Sequence, residues 1–283
     1  MEHLITTDTE TVCLHRFRPA LLPRTDEAWP LPGCRAGIYM DTETTGLGLT
    51  ARVVEIALVP FSFAGDKIVG VHPPVASLQD PGTPIPPSAT AVSGITDEMV
   101  AGKQADWPRI LELLTRADIV VAHNAGFDRP VVHRELRHRK LQPPNVVWGC
   151  SQTQVAWTEH LPHVPRVALA VLAAWNGFFF QAHRAQDDCY AALYLLRNTR
   201  TIGELYENAN KPNFVVRALH SAFHTKDALK DRGYRWDNDK KTWWTTIPRE
   251  EDVEQERAWL TLEVYGGSFK GDIVRVPPTE NFL

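Results

Sequence analysis

Two carboxylates that lie two residues apart, Asp41 and Glu43, are the first group in the sequence that could do chemistry. They belong to the segment AGIYMDTE, which is predicted to be a strand, and residues i and i+2 of a strand project from the same face. Two such acids repel each other unless a cation lies between them. Oxygen ligands without cysteine or a spaced histidine pair suit Mg²⁺ or Mn²⁺ rather than zinc. The pair therefore predicts a site for a hard divalent cation.

Two further acids occur where a loop or strand gives way to a helix. Asp128 follows the strand-like segment DIVVAH and opens a helix, a position that the helix dipole favours for any carboxylate, including ordinary capping residues. In HRAQDD, His183 precedes Asp188 by five residues, which do not share one face of a regular helix. We therefore expect His183 on the preceding loop and Asp188 in the first helical turn.

The elements that must position these residues alternate between strand and helix from residue 36 to about residue 200, which favours an α/β domain. The proline-rich stretch that begins near residue 79 is predicted to be a loop that returns to helix at Thr96. Strands are predicted at 36–43, 52–61, 67–72 and 118–123, and helices at 106–116, 128–136, 167–175 and 185–198.

The residues outside this domain are predicted to form four further parts. Four prolines break any periodicity in residues 1–35, which are expected to be an irregular segment. Residues 201–220 have the polar composition of a linker, and residues 221–268 combine two helices with two aromatic strands in a small α+β domain. Residues 269–283 are expected to be a tail.

Aromatic and basic residues alternate in the small domain. Trp236 and Trp243, with Lys241 between them in sequence, could stack on bases and hold a phosphate. The same tryptophans could instead form the core of a short domain, which is the more common use of such residues. Both interpretations are open from the sequence.

The formal net charge of −4 argues against a protein that holds nucleic acid through overall positive charge. Any such contact must be local or made through metal ions. Basic residues gather in two stretches, 129–140 and 226–241, and each fits the solvated face of a helix.

Several classes of protein are disfavoured by what the sequence lacks. No run of about 18 apolar residues is present, so no membrane span is expected. The first residues lack a basic-then-apolar leader. The four cysteines are scattered without a C-x-x-C pair, which argues against structural zinc and against a disulfide framework. We expect a cytoplasmic location.

The segments MDTETTGL, VAHNAGFD and HRAQDD, in this order, resemble the three motifs of the DEDD exonucleases, in the subgroup whose third motif reads His-x-x-x-x-Asp. This superfamily includes the proofreading epsilon subunit of bacterial DNA polymerase and the three-prime repair exonucleases. The resemblance covers residues 36–200 and implies a ribonuclease H-like mixed sheet flanked by helices. It implies that two Mg²⁺ (or Mn²⁺) ions are held by Asp41, Glu43, Asp128 and Asp188, and that His183 is the general base for the attacking water.

The resemblance also implies contacts with the substrate. Thr44 and Leu47 match positions that touch the terminal nucleotide, and Asn124 and Phe127 match the flanks of the second motif. The segment SGITDEMV resembles one that lines the substrate groove and commonly reads H-G-I-T, so Ser93 stands here in place of a histidine.

The activity implied is 3′-to-5′ hydrolysis of single-stranded or frayed DNA with release of nucleoside monophosphates. DNA is favoured over RNA, and a polymerase or another DNA-processing protein is a candidate partner. An exoribonuclease acting on RNA or short oligonucleotides is an alternative, because the motifs do not distinguish the two sugars. A second alternative is a non-catalytic adaptor that binds nucleic acid or a polymerase. Such adaptors have usually lost one of the acids or the histidine, whereas this sequence retains all four acids and His183.

Overall fold

The computed structural model describes residues 3–7, 10–48 and 50–282. These residues divide into two units: one reaches to Ala209 and includes Phe282, and the other is Asn210–Asn281. No helix in the described part of the chain combines the length and the apolar composition needed to cross a membrane.

The first unit contains nine strands and eight helices among its described residues. In chain order the strands are β1 (His3–Thr7), β2 (Glu10–Arg16), β3 (Arg35–Thr44), β4 (Val53–Ala64), β5 (Lys67–Val71), β6 (Val75–Leu78), β7 (Ile119–Ala122), β8 (Trp148–Cys150) and β9 (Phe178–Phe179). The helices are α1 (Pro87–Ser93), α2 (Asp97–Val100), α3 (Trp107–Arg116), α4 (Ala125–His138), α5 (Trp157–His160), α6 (Leu169–Trp175), α7 (Ala185–Thr199) and α8 (Ile202–Ala209).

A mixed sheet in the order β5-β4-β3-β7-β8 forms the centre of this unit, with β6 also paired to β4. The central strand β3 is antiparallel to β4 and parallel to β7. In the register of the β3–β4 pair, Glu43 lies opposite Glu55. The end of β3 that carries the two predicted acids is therefore held by hydrogen bonds to β4.

Helices cover both faces of this sheet. The apolar side chains of β3 belong alternately to two hydrophobic clusters, one on each face. Tyr39 belongs to a cluster with Cys189 and Leu193 of α7, so α7 covers one face. Ile38 and Met40 belong to the second cluster, with residues of α3 and α4, so those helices cover the opposite face. The predicted mixed sheet flanked by helices is thus confirmed.

The predicted strands at 36–43, 52–61, 67–72 and 118–123 correspond to β3, β4, β5 and β7. Asp106 caps α3 as its sequence suggests, since its side chain accepts a hydrogen bond from the Arg109 amide. Three short strands, β6, β8 and β9, were not predicted. Helix α1 lies inside the stretch predicted to be a loop, where Pro87 occupies the first turn that tolerates proline.

The N-terminal segment differs from the irregular leader predicted for residues 1–35. β1 and β2 form an antiparallel hairpin, and β2 also pairs in parallel with β9. The prolines begin only at Pro19, and the preceding ETVCLHR has the β-branched content of a strand. Residues 1, 2, 8 and 9 of the predicted segment lie outside the described residues.

The second unit is a small α+β structure built on four antiparallel strands in the order β11-β12-β10-β13. Its core contains Val216, Leu229, Tyr234 and Leu260. Its elements are β10 (Asn213–Ala218), α9 (Lys226–Asp231), β11 (Arg235–Asp237), β12 (Thr242–Ile247), α10 (Val253–Trp259) and β13 (Asp272–Val276).

Two predicted boundaries around this unit are corrected by its strands. Residues 201–220, predicted to be a linker, contain α8 and the central strand β10, whose buried positions alternate as a half-buried strand requires. Residues 269–283, predicted to be a tail, contain β13, which pairs with β10. The polar composition that suggested a linker comes from GELYENANKPN, which spans α8 and the turn before β10.

Close packing between β3 and β4 makes one glycine sensitive to substitution. Gly37 lies opposite Phe61, and a Cβ atom at Gly37 would overlap the ring of this fully buried phenylalanine. We expect Gly37→Ala to lower the free energy of unfolding by about 1–3 kcal/mol, the usual cost of overpacking. Urea denaturation measures the change.

Gly48→Ala is the matched control, because a Cβ atom there would meet no other atom within 4 Å. We expect it to change the free energy of unfolding by less than about 0.5 kcal/mol. Equal losses in the two variants would contradict the packing argument.

Candidate active site

Three carboxylates from distant parts of the chain meet at the end of β3. One ligand oxygen from each of Asp41, Glu43 and Asp188 lies within 4.8 Å of the others, and all three residues are half-buried. Asp41 and Glu43 share the face of β3 to which Tyr39 belongs, and α7 packs on that face. Asp188 lies in the first turn of α7, so it enters the group from the same side.

Asp128 approaches the end of β3 from the opposite face of the sheet. It lies in the first turn of α4, and its carboxylate accepts a 2.7 Å hydrogen bond from the hydroxyl of Thr42, which alternates with Asp41 and Glu43 along the strand. The structure thus brings three of the four predicted acids into one group. The fourth lies beside it, bound to Thr42.

Burial and mutual repulsion make the carboxylates weak acids. Burial, then the charges of Asp128 and Asp188, raise the pKa of Asp41 well above its ordinary value. Burial, followed by the charge of Asp188, raises the pKa of Glu43 to about 7. Burial raises the pKa of Asp128 to about 7 against the opposing hydrogen bond from Thr42.

Burial likewise raises the pKa of Asp188 to about 7, although the amides of Arg184 and His183 act in the opposite direction. Four acids that hinder one another's ionisation form a place where positive charge is strongly favoured. Their ligand atoms are all carboxylate oxygens, which Mg²⁺ and Mn²⁺ prefer. The donor set therefore fits a hard divalent cation.

A bidentate ion pair ties the start of α7 to β4 and was not predicted from the sequence. Arg184 donates from Nη2 to Oε1 of Glu55 at 2.7 Å and from Nε to Oε2 at 3.2 Å. The amide of Ala185 donates to the same carboxylate at 3.0 Å. Glu55 is 6% exposed whereas the Arg184 side chain is 37% exposed, so the carboxylate is shielded from water and the two parallel hydrogen bonds fix the geometry of the pair. It fixes the position of the helix turn that carries Asp188.

His183 lies on the loop before α7, as its spacing from Asp188 predicts. It has a left-handed backbone with φ of 66°, and its side chain is exposed. The next residue, Arg184, donates its amide to Oδ2 of Asp188 at 3.0 Å. His183 is therefore anchored through the backbone of its neighbour, whereas its imidazole faces solvent.

The residues predicted to contact the terminal nucleotide border a turn after β3. The Thr44 hydroxyl donates to the carbonyl of Gly46 at 2.6 Å, which fixes the turn. Leu47 is 89% exposed, so its side chain is accessible to a ligand at this turn. Thr44 is the last residue of β3, which carries Asp41 and Glu43, and Leu47 lies three residues beyond it.

The other predicted substrate residues have different environments. Ser93 is buried, and its hydroxyl donates to Ala89 and accepts from the Ile95 amide, so it serves the end of α1. Asn124 is the exposed residue that precedes α4. Phe127 is half-buried and packs against the cluster under α4.

The aromatic residues of the second unit divide between surface and core. Trp243 packs against the core of the unit, whereas Trp236 is 44% exposed and contacts Trp243 edge-on with 5.4 Å between ring centroids. Lys241 is exposed in the turn between β11 and β12. Trp236 and Lys241 are therefore accessible. Trp243 lies between the core of the unit and Trp236 and supports the Trp236 ring.

A buried hydrogen-bond chain lies beneath the carboxylates. The hydroxyl of Tyr39 bonds to that of Ser151 at 2.7 Å, and Ser151 bonds to Nδ1 of His123 at 3.0 Å. Nε2 of His123 lies 2.7 Å from the carbonyl oxygen of Val167, so this nitrogen is the donor and carries the proton. This chain occupies both ring nitrogens of His123, which excludes it as a metal ligand in this conformation.

Sequence reasoning missed Glu55, Arg184 and Thr42 because no short motif contains their partners. Glu55 and Arg184 are separated by 129 residues and meet only after the sheet has formed. A charged residue inside the otherwise apolar strand VVEIALV was the available signal, since buried acids are almost always paired. Thr42 could have been found by strand alternation, which directs it away from Asp41.

The family model described as an exonuclease family, RNase_T, matches residues 38–196. An uncharacterized exonuclease, CP81, of Escherichia phage 186 is 49% identical over 173 residues, covering 56% of this chain and 85% of the relative. DNA polymerase III subunit epsilon of Treponema pallidum is 33% identical over 165 residues, covering 55% of this chain and 72% of the relative.

The fold is also similar to that of a solved structure, the zinc-bound complex of E. coli exonuclease I with single-stranded DNA. The TM-score is 0.55 at 16% identity, over 78% of this chain and 67% of that chain. At this identity the likeness concerns the fold alone.

The buried hydrogen-bond chain predicts a specific loss of stability in acid. Burial lowers the pKa of His123 to about 4, below the ordinary 6.5 of the unfolded chain. As the pH falls below about 6.5, the unfolded chain binds a proton that folded His123 does not, so the free energy of unfolding decreases. Between about pH 7.5 and about pH 5 this residue should remove about 2 kcal/mol.

His123→Gln keeps an amide donor but does not titrate, so its free energy of unfolding should fall less over the same pH interval. Urea denaturation of both proteins at the two pH values measures the difference. A parallel decline in the two proteins would show that His123 titrates normally.

Proposed function

The chain belongs to the DEDD exonuclease family, matched by the RNase_T model, and we propose that it removes nucleotides one at a time from the 3′ end of DNA. The substrate is single-stranded or frayed DNA, and the products are nucleoside monophosphates. Asp41, Glu43, Asp128 and Asp188 hold two Mg²⁺ or Mn²⁺ ions, and His183 is the general base.

The observation that carries this proposal is the group of three carboxylates within 4.8 Å, with Asp128 beside it. Acids this close and this reluctant to ionise are a poor arrangement for stability alone. When bound, the divalent ions would activate water and neutralise the negative charge that develops on the phosphodiester. Attraction to phosphate through bound ions is also compatible with a chain of net charge −4.

The protein's own groups have distinct tasks in this reaction. His183 accepts the proton of the attacking water at its imidazole, a role that suits a solvent-facing side chain on a fixed loop. The ion pair of Glu55 and Arg184 fixes the positions of that loop and of Asp188 relative to β3. The exposed Leu47 gives the terminal base an apolar surface, and Thr44 fixes the turn that presents it.

DNA is proposed as the substrate because a relative of which the chain covers 72% is named DNA polymerase III subunit epsilon. The same name supports a DNA polymerase as a partner. Four free cysteines fit a reducing cytoplasm as the location. Digestion of matched DNA and RNA strands labelled at either end tests sugar and polarity together; faster release from RNA would favour an exoribonuclease.

Adjacent acids in α7 give a matched test of the site. Asp188→Asn should reduce the rate of nucleotide release at least about 100-fold, because even hydrogen-bond partners of metal ligands are commonly worth 10- to 100-fold. Asp187→Asn removes the same charge one residue earlier, outside the carboxylate group, and should change the rate less than about threefold. Single-turnover release from a 3′-labelled strand in Mg²⁺ measures both rates.

His183→Ala should lower the same rate about 100-fold or more, as expected for loss of a general base. Thermal unfolding of each variant shows whether the fold is retained. If folded Asp188→Asn or His183→Ala protein degraded the strand at the parent rate, the proposed site would be wrong.

The second unit is proposed to bind the substrate strand through Trp236 and Lys241, supported by Trp243. Trp236→Ala should weaken strand binding by about 1–3 kcal/mol, the usual value of one base stacked on an aromatic ring, with little change in stability. Trp243→Ala should also lower the free energy of unfolding, because Trp243 packs against the core. Fluorescence anisotropy gives the affinity; an unchanged value for Trp236→Ala would restrict both residues to packing.

A further inference from the structure

A basic groove lies beside the turn that follows β3, and the chemistry proposed above does not use it. The groove has a volume of about 470 Å³ and is lined by Arg52, Arg134, Glu135, Arg137 and His138, with the backbone at Ala51. Three guanidinium groups face one carboxylate there, so the groove carries a net charge of +2 on a chain whose net charge is −4. Positive charge is therefore concentrated at this place.

The single acid of the groove is already neutralised. Glu135 is 3% exposed, and its carboxylate accepts from Nε of Arg52 at 2.7 Å and from Nη1 of Arg139. Arg139 also stacks over the ring of Trp107, 4.4 Å from its centroid. Glu135 thus holds two guanidinium groups in place, and the adjoining groove beyond them contains Asp80, which marks the boundary of the positive surface.

The remaining cations of the groove face solvent. Arg134 donates from Nη2 to the carbonyl of Ala51 at 3.2 Å and is half-buried. Arg137 and His138 are exposed in the last turn of α4, and within the described part of the chain neither side chain forms an ion pair. A guanidinium without a protein carboxylate is available to a phosphate oxygen.

The groove adjoins the end of β3 that carries Asp41 and Glu43. Arg52 is hydrogen-bonded in both directions to Thr45, two residues after Glu43. Along α4, Arg137 lies nine residues beyond Asp128, which is about 14 Å at 1.5 Å per residue. A strand whose bases stay stacked as in a duplex covers that distance in about four nucleotides at 3.4 Å per step, and an extended strand covers it in fewer.

We propose that this groove binds the phosphate backbone of the substrate strand a few nucleotides from its 3′ end, with Arg137 as the exposed contact. The inference rests on the proposed function and deepens it, because it names the part of the substrate that the protein grips away from the reacting phosphodiester. Phosphate contacts carry no sequence information, so the grip is independent of base sequence.

The length and salt dependence of substrate use test this inference. The Michaelis constants of 3′-labelled strands of two and twelve nucleotides are compared in the parent protein and in Arg137→Gln. The dinucleotide has no internucleotide phosphate besides the scissile one, so it cannot bind the groove and serves as the internal reference. For the longer strand, loss of one phosphate contact should raise KM about fivefold at about 0.1 M salt and reduce the slope of log KM against log salt by about 0.7.

Arg197→Gln is the matched control, because Arg197 is also an exposed arginine in the last turn of a helix. It should leave the ratio of the two KM values unchanged. Arg137→Lys retains the charge and should restore the salt slope, which separates a phosphate contact from a packing role. Equal slopes in the parent and in Arg137→Gln would overturn the inference.

Fluorescence anisotropy of the longer strand in EDTA keeps this test independent of catalysis. The change in salt slope should appear in the dissociation constant as well. If the parent protein hydrolysed neither strand in Mg²⁺, the proposed function would fail, whereas the anisotropy slopes would still decide whether Arg137 contacts phosphate.

Discussion

The repulsion among four carboxylates is the constraint on which the rest of the exonuclease unit depends. Asp41 and Glu43 are fixed by a central strand that pairs with β4 at both acids and with β7 at residues 37–39, so they cannot move apart without breaking the sheet. Asp188 and Asp128 are brought in by helices on opposite faces. Packing of the two hydrophobic clusters thus holds four carboxylates close together that would separate in water. Their mutual repulsion makes the binding of cations strongly favourable.

Holding these charges requires supporting contacts outside the group itself. Glu55 accepts three hydrogen bonds from the start of α7, and Thr42 orients Asp128. Both residues are buried, so their hydrogen bonds are protected from water. Residues of this kind determine the distances between the acids, although none of them needs to touch the substrate.

The sequence predicted the sheet and the order of the acids well, because strand alternation and helix starts are local properties. The spacing of His183 and Asp188 correctly separated a loop from a helix turn. The alternation of side chains along β3 was not applied to Thr42. The sequence therefore did not predict that Asp128 approaches from the other face of the sheet. The Glu55–Arg184 pair and the pairing of β10 with β13 depend on contacts between distant segments, which no local pattern encodes.

The order of the elements along the chain has a consequence for synthesis. The first two acids lie on β3, whereas Asp188 lies on α7, 147 residues later. A ribosome delivers β3 long before α7, and a growing chain that lacks α7 holds only part of the ligand set. Under the proposed chemistry, an incomplete polypeptide therefore carries no competent nuclease centre. Placing one ligand near the end of the unit delays activity until translation of that unit is finished.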